Sequence, residues 1–306
     1  MRIAIIGRTE ILYDTALRLH EAGHQISCIV TAKEAPEYTR TSEDFGRLAG
    51  LWDVPFARGA RILEHTDLLR ASHSDIAVSI NYTGVLPQGV IDLFPIGVLN
   101  AHGGDLPRYR GNACQAWAII NGESRIGLCI HKMIGGELDS GDIIARDYFA
   151  IDHTTKVTAA WNWMVERAPE LMVEAVEYLM ANPAYVLERQ YKSSAEGSRC
   201  YPRCSEDGRI DWTRRSLEVV RLINACNKPY AGAFCDFDGK RMIIWDAELL
   251  KDDERFFAVP GQVLSLEDAY ADVACGDGKI RIYEVEYSGV TLSPSVIIKS
   301  LRARLK

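Results

Sequence analysis

The sequence has no long hydrophobic run. No segment approaches the roughly 18 consecutive apolar residues that are needed to cross a bilayer. The N-terminal stretch Met1 to Gly7 has too short an apolar run for a signal peptide. We therefore expect a cytoplasmic protein that has no membrane partner.

Cysteine is present, but its spacing does not indicate a metal site or a disulfide framework. The eight cysteines are scattered, and the close pair Cys200 and Cys204 lacks the second pair or nearby histidine that a tetrahedral zinc site needs. We expect free thiols in a reducing compartment. Six histidines outside the motif described below have no ligand spacing either: His20, His24, His65, His73, His131 and His153. The sequence predicts no metal.

The turn after the first apolar strand has too few glycines for a dinucleotide-binding fold. Gly7 stands alone where that fingerprint places three glycines, which disfavours an NAD-dependent dehydrogenase. Arg8 follows at the start of a predicted helix, where exposed amides and the helix dipole favour anions. Arg8 is a candidate contact to a substrate phosphate or sugar, and a solvated surface arginine is the alternative.

Positive charge is in the minority. The chain has 35 Lys and Arg against 42 Asp and Glu, a formal net charge of -7. Proteins that bind nucleic acid usually cluster basic residues, because counterion release from phosphates supplies much of the affinity. We expect no nucleic-acid partner.

The remaining composition is that of a globular protein with two domains. The 306 residues are 47% hydrophobic and 25% charged, and the first half alternates apolar runs with amphipathic stretches, as in a doubly wound α/β fold. The predicted parallel strands are Ile3 to Ile6, Ile26 to Val30, Ile76 to Ile80 and Val98 to Asn100. The predicted helices are Ile11 to Ala22, Glu43 to Leu51, Leu63 to Ala71 and Gln88 to Phe94. A strand over 143–151 and a long helix over 155–180, ended by Asn182 and Pro183, complete this domain.

The second half predicts a connecting segment and a smaller domain. Residues 184–205 are polar and irregular, as in a linker. A helix over 217–227 and alternating runs at 234–237, 241–245 and 279–287 then indicate a small β-rich barrel. We predict a first domain over 1–183, a linker over 184–205 and a second domain over 206–306.

Asn100 and His102, followed at a distance by Asp139, form the most informative motif. An amide, an imidazole and a carboxylate are suited to hold an oxyanion, move a proton and orient the proton carrier in acyl transfer to an amine. The alternative is that Asn100 and His102 simply end a buried strand, since short motifs often occur by chance. Because a carboxylate beside an imidazole favours the protonated form, we expect Asp139 to raise the pKa of His102.

The surroundings of this motif favour catalysis. A Leu-Pro-x-x-x-Gly element at 106–111 and the sequence Leu-Asp-Ser-Gly-Asp at 138–142 follow the Asn-x-His element in order. This combination resembles the folate-dependent formyltransferase family. Gly-Arg-Ile-Asp-Trp at 208–212 and Pro-Tyr-Ala-Gly-Ala-Phe at 229–234 resemble the C-terminal domain of its larger members, so the resemblance covers nearly the whole chain.

The resemblance implies a Rossmann-like, doubly wound and mostly parallel sheet, the formyltransferase fold, followed by a small β-rich, OB-like domain. It implies 10-formyltetrahydrofolate as co-substrate, with Asn100, His102 and Asp139 as the catalytic residues. In the family, the segment that matches 81–87 and the loop through Asp139 line the pterin site. The implied folate-binding residues are Tyr82, Leu86, Asp139 and Asp142. Arg108, Tyr109 and Arg110 flank the motif and are candidate substrate contacts.

Three features favour a nucleotide-linked amino sugar as acceptor and hence a sugar N-formyltransferase, and the resemblance to the family implies a homodimer. The form of the 229–234 motif looks closer to that branch, the overall charge is acidic, and residues 33–44 carry more acid than base where tRNA formyltransferases have a basic insertion. The alternatives are methionyl-tRNA formyltransferase, a hydrolase of the formyl donor, and a catalytically silent folate or nucleotide-sugar binding module.

Overall fold

The computed structural model describes residues 1–36, 38–190, 197–251 and 254–306. Glu37, which contributed to the charge of the 33–44 loop, and residues 191–196 of the predicted linker lie outside this set. The strands are β1 (Arg2–Gly7), β2 (Gln25–Thr31), β3 (Phe56–Arg58), β4 (Ile76–Ile80), β5 (Val98–His102), β6 (Tyr109–Gly111), β7 (Arg125–Lys132), β8 (Ile143–Ala150), β9 (Ser198–Cys200), β10 (Ala233–Phe237), β11 (Lys240–Leu249), β12 (Val263–Glu267), β13 (Tyr270–Ala274), β14 (Lys279–Tyr287) and β15 (Val290–Leu292). The helices are α1 (Glu10–Glu21), α2 (Ser42–Leu51), α3 (Thr66–Ala71), α4 (Gln88–Ile91), α5 (Cys114–Asn121), α6 (Val157–Ala181), α7 (Ser216–Ala225) and α8 (Pro294–Ile297).

The chain forms two compact units. One comprises residues 1–111, 127–149 and 162–200, and the other comprises 112–126, 150–161 and 201–306. We call them the first and the second unit.

The first unit is built on a seven-stranded sheet in the order β3-β2-β1-β4-β5-β7-β8. Strands β1 to β5 pair in parallel, and β7 runs antiparallel to β5. Side chains alternate between faces along a strand, so Ile3 and Ile5 of β1 pack with α1, α2 and α6, whereas Ala4 and Ile6 pack with α3 and α4 on the opposite face. The predicted doubly wound, mostly parallel fold is confirmed.

The predicted elements of this unit are largely present. Each predicted strand and helix has a counterpart, although the predicted helix over 63–71 begins as a 3-10 turn at Ile62–His65 and α4 ends at Ile91 rather than at Phe94. Helix α6 ends at Ala181, directly before Asn182 and Pro183. Strands β3, β6, β7 and β9 of this unit were not predicted, nor was α5 of the second unit. Three-residue strands such as β3 and β6 are too short to carry a periodic signal.

Acidic residues in the 33–44 loop cap the first turn of α2. Thr41 and Asp44 form a reciprocal capping box, and Glu34 accepts a hydrogen bond from the backbone N–H of Ser42 at 3.0 Å. Carboxylates in these positions satisfy amides that a helix leaves unpaired and complement its dipole. The negative charge of this loop therefore has a local structural cause.

The second unit contains an antiparallel sheet with the order β10-β11-β14-β13-β12, and β15 adds to β14. Its core combines Val219, Val220 and Ile223 of α7 with inward-facing residues of the strands. The predicted β-rich C-terminal domain is confirmed. No helix within the described residues is long and apolar enough to cross a membrane.

Candidate functional site

Asn100 and His102 lie at the carboxyl end of β5, where the direction of the sheet changes. β4 runs parallel to β5, whereas β7 is antiparallel to it, with Asn100 opposite His131 and His102 opposite Cys129. Residues two apart on a strand share a face. The strand therefore presents an amide and an imidazole side by side at the edge where open α/β sheets form their clefts.

The environment of His102 fixes which ring nitrogen can act as a base. Its Nε2 lies 2.7 Å from the backbone oxygen of Tyr109, and because a carbonyl only accepts, Nε2 carries the proton. In the neutral ring the unprotonated atom is therefore Nδ1, which faces Asp139 Oδ2 at 3.5 Å. A proton taken up at Nδ1 would arrive between the imidazole and the carboxylate.

The pKa of His102 is lowered overall, although Asp139 acts on it in the upward direction that the sequence predicted. Burial of the ring, which is 7% exposed, is the largest cause, and it outweighs the upward effects of Asp139 and the Tyr109 carbonyl. The loss of hydration disfavours the charged imidazolium, and this effect is larger than the stabilisation that one carboxylate at 3.5 Å gives to the same charge. His102 is thus kept neutral at physiological pH, as a general base requires.

Asp139 is held by the loop between β7 and β8 in a left-handed conformation, with φ of 48°. Its Oδ2 accepts a hydrogen bond of 2.8 Å from the N–H of Gly111. Burial raises the pKa of this carboxyl, but the neighbouring His102 and His131 rings and the hydrogen bond from the Gly111 amide together hold it well below its ordinary value. Gly141 in the same motif is required, since a Cβ there would collide with the backbone oxygen of Lys132.

His131 is a member of the site that the sequence analysis missed. Its Nδ1 donates to the Lys132 carbonyl at 2.9 Å, which leaves Nε2 to accept from Asn100 Nδ2 at 3.1 Å. The same Nε2 lies 3.5 Å from Asp139 Oδ1. His131 has no metal-ligand spacing, but a lone histidine directly after the apolar run 126–130 and shortly before Asp139 was a signal for this strand.

The predicted folate segment follows β4 at the same edge of the sheet. Residues 84–86 make no backbone hydrogen bond to any other part of the chain that the structure describes, and the Val85 side chain is 67% exposed. The backbone groups of the exposed residues Gly84 and Val85, beside the apolar Val85 side chain, suit the edge of a pterin ring. Leu86 itself points its side chain into the core, and Tyr82 donates to the Gly59 carbonyl at 2.9 Å.

The arginines that were predicted to contact the substrate differ in their surroundings. Arg8 donates to the backbone oxygens of Asn81 at 3.0 Å and Lys33 at 2.8 Å. Arg108 is exposed, and its guanidinium lies 5.5 Å from the centre of the Tyr109 ring. Arg110 donates to Gln190 Oε1 at 3.1 Å.

Together these residues can carry out acyl transfer to an amine. The amide of Asn100 has a second N–H besides the one that is directed to His131. The ring of His102 has an unprotonated nitrogen, and the negative charge of Asp139 lies beside that nitrogen. Within the described residues, no group of three or more His, Cys, Asp or Glu side chains is arranged to hold a metal ion.

Comparison with known proteins gives matches along both units. A family model described as formyl transferase matches residues 1–176, and one described as formyl transferase, C-terminal domain, matches residues 204–302. Four relatives named methionyl-tRNA formyltransferase are 27% or 28% identical over 94% of this chain. The relative from Lachnospira eligens is 27% identical over 300 residues, which are 94% of this chain and 93% of its own length.

Solved structures share the fold. The N-formyltransferase from Helicobacter canadensis, in complex with folinic acid and dTDP-3-aminofucose, has a TM-score of 0.70 at 16% identity, over 93% of this chain and 99% of that one. HypX from Aquifex aeolicus in complex with tetrahydrofolic acid has a TM-score of 0.62 at 21% identity, over 98% of this chain. The match covers 47% of HypX, so this chain spans about half the length of that protein.

The predicted nucleotide-sugar acceptor and the predicted absence of a nucleic-acid partner are wrong. The relatives that align along 94% of the chain are named for methionyl-tRNA, whereas the N-formyltransferase that was solved with dTDP-3-aminofucose is similar in fold at 16% identity. A net charge sums over the whole chain and does not locate positive charge, and acidic residues of the 33–44 loop cap α2. The 229–234 motif also has a packing role, because Gly232 has a φ of 84° and a Cβ there would collide with Ile243.

Proposed function

Because the chain belongs to the folate-dependent formyltransferase family, we propose that it transfers a formyl group from 10-formyltetrahydrofolate to the amine of methionyl-tRNA. The observation that carries the proposed chemistry is the cluster of Asn100, His102 and Asp139, with the unprotonated nitrogen of His102 facing the carboxylate at 3.5 Å. The acceptor is supported by the four relatives of that name, which align along 94% of the chain.

Asn100 is proposed to stabilise negative charge on the formyl oxygen. One N–H of its amide is directed to His131 Nε2 at 3.1 Å, and the other is left to donate to the oxygen. A neutral amide can do this without becoming a competing nucleophile. Because the hydrogen bond to His131 fixes the orientation of the amide, the donor is in place before charge develops, as effective stabilisation requires.

His102 is proposed to take the proton from the attacking amine at Nδ1. Its Nε2 stays bonded to the Tyr109 carbonyl, so the ring neither rotates nor changes tautomer when it accepts the proton. The imidazolium that forms is stabilised by Asp139, and His102 can return the proton to the folate nitrogen as the bond from that nitrogen to the formyl carbon breaks and tetrahydrofolate leaves. Burial makes the ring a weaker base than a free histidine, which keeps it unprotonated and ready at neutral pH.

10-Formyltetrahydrofolate supplies the formyl group when it is bound. The backbone of residues 84–86 is proposed to bind its pterin ring from one side, together with Tyr82 and Leu86, and Asp139 and Asp142 to line the other. The exposed Arg108, with Tyr109 beside it, is proposed to contact the acceptor, and so are Arg8 and Arg110. Guanidinium groups suit phosphate recognition because they form paired hydrogen bonds.

The decisive experiment measures formyl transfer from labelled 10-formyltetrahydrofolate to methionyl-tRNA. The controls are uncharged tRNA, methionyl-tRNA with an acetylated amine, and the His102→Ala enzyme. We expect label in the methionyl-tRNA sample and background label in each control. Release of tetrahydrofolate without label in tRNA would show that methionyl-tRNA is not the acceptor. Folate binding without release of tetrahydrofolate would instead indicate a silent binding module.

A further inference from the structure

Gln190 contacts the loop of Asp139 at several points. Its side-chain amide donates to the backbone oxygens of Asp139 at 3.2 Å and Gly141 at 2.7 Å. Its backbone N–H donates to Asp142 Oδ1 at 3.3 Å. The Oε1 atom of the same side chain accepts from Arg110 at 3.1 Å. One residue therefore ties the loop to the strand β6.

The loop needs such support because its conformation is not a favourable one by itself. Asp139 has a φ of 48°, and a non-glycine residue in the left-handed region costs free energy unless the surroundings impose it. The side chain of Asp139 must also meet His102 and the Gly111 amide at fixed distances. The donors of Gln190 reach the backbone oxygen of Asp139 itself, so they act on the peptide that sets the direction of the carboxylate.

The segment that carries Gln190 supports the site at a second point. Strand β9 pairs in parallel with β6, with Tyr109 opposite Ser198 and Gly111 opposite Cys200. The β6 backbone in turn holds both members of the acid–base pair, since Tyr109 accepts from His102 and Gly111 donates to Asp139. Residues on both sides of 191–196 thus hold the backbone that orients His102 and Asp139.

We propose that Gln190 is a positioning residue for formyl transfer, which holds the Asp139 loop so that the carboxylate faces His102. The proposal rests on the proposed function of this site. Gln190 meets no reacting atom and acts through Asp139. The predicted linker is therefore more than a connection, because its first part maintains the geometry of the acid–base pair.

The test compares Gln190→Ala and Gln190→Glu with the wild-type enzyme. Alanine removes every side-chain contact, whereas glutamate keeps an acceptor for Arg110 but presents carboxylate oxygens to the backbone oxygens of Asp139 and Gly141. Gln25→Ala is the matched control, since Gln25 also accepts from an arginine, Arg2, at 2.9 Å, but it lies at the amino end of β2. Thermal unfolding checks that all variants are folded.

Two quantities are measured, the kinetics of formyl transfer and the NMR titration of the His102 ring. We expect kcat to fall about 10- to 100-fold in both Gln190 variants with KM little changed, since small displacements of catalytic groups have effects of this size. We also expect the titration midpoint of His102 to move to lower pH, because Asp139 raises the pKa of His102 in the native arrangement. Gln25→Ala should change neither.

The two readouts separate this proposal from the proposed function. If the wild-type enzyme does not formylate methionyl-tRNA, the acceptor is wrong, yet the His102 titration still reports whether Gln190 places Asp139. The proposal is overturned if the folded Gln190 variants titrate at His102 like the wild type. A loss of thermal stability with unchanged kcat and an unchanged midpoint would likewise overturn it, since that would be a structural role alone.

Discussion

Asn100 and His131 lie opposite each other in the antiparallel pair of β5 and β7, and their side chains meet at 3.1 Å between Nδ2 and Nε2. His131 Nδ1 is bonded to its neighbour's carbonyl, so Nε2 is the acceptor and the amide of Asn100 must turn its nitrogen toward it. The orientation of the proposed oxyanion donor is therefore set by a residue on another strand.

Replacing His131 should disturb the reaction through Asn100. We expect His131→Leu to lower kcat about tenfold or more, because an amide without its fixed partner is no longer preorganised. His131→Gln, which can offer a side-chain oxygen as acceptor, should recover part of the rate. Steady-state kinetics of the two variants test whether His131 orients the amide of Asn100. Equal kcat values for the wild type and both variants would contradict this role.

Removing the amide of Asn100 itself should have a larger effect. Loss of one oxyanion donor typically costs about 10²- to 10³-fold in kcat, and we expect this loss for Asn100→Ala with KM little changed. Asn182→Ala, at the end of α6, is the matched control. A similar kcat for Asn100→Ala and the wild type would exclude Asn100 as the donor.

The pH dependence of kcat/KM should report the lowered pKa of His102. A base is active when unprotonated, so activity is full above its pKa and falls as the pH drops through it. Because burial lowers the pKa of His102 from the ordinary 6.5, the half-activity point of the acid limb should lie below pH 6.5. Asp139→Asn removes the carboxylate that opposes this shift, so its half-activity point should lie lower still. A half-activity point above pH 6.5 in the wild type would contradict the burial argument.

The stability of the fold should depend on Asp139 at acidic pH. Its folded-state pKa lies below the ordinary value of 3.8, so its contribution is present above about pH 4 and is lost as the pH falls through the folded value. The wild type should therefore lose more free energy of unfolding than Asp139→Asn between pH 6 and pH 3. Urea unfolding at both pH values measures this difference, and parallel losses would refute it.

The sequence by itself determined the architecture of the first unit, and it predicted three residues of the candidate site. A continuous apolar run such as that from Ile3 to Ile6 indicates a strand covered on both faces, and Asn182 with Pro183 marks the end of α6. These signals are local, because periodicity and chain breakers act within one element. Asn100, His102 and Asp139 were recognisable because the motif keeps them in fixed order along the chain.

Only the tertiary structure decided the surroundings of these residues. The pKa of His102 depends on burial by the surrounding chain, which outweighed the neighbouring carboxylate that the sequence made visible. His131 and Gln190 join the site through strand register and a returning segment, and neither relation can be deduced from spacing. The sequence analysis preferred a nucleotide sugar over its alternative, methionyl-tRNA, and this preference was wrong, because overall charge is a sum over the chain whereas recognition depends on where each charge is placed.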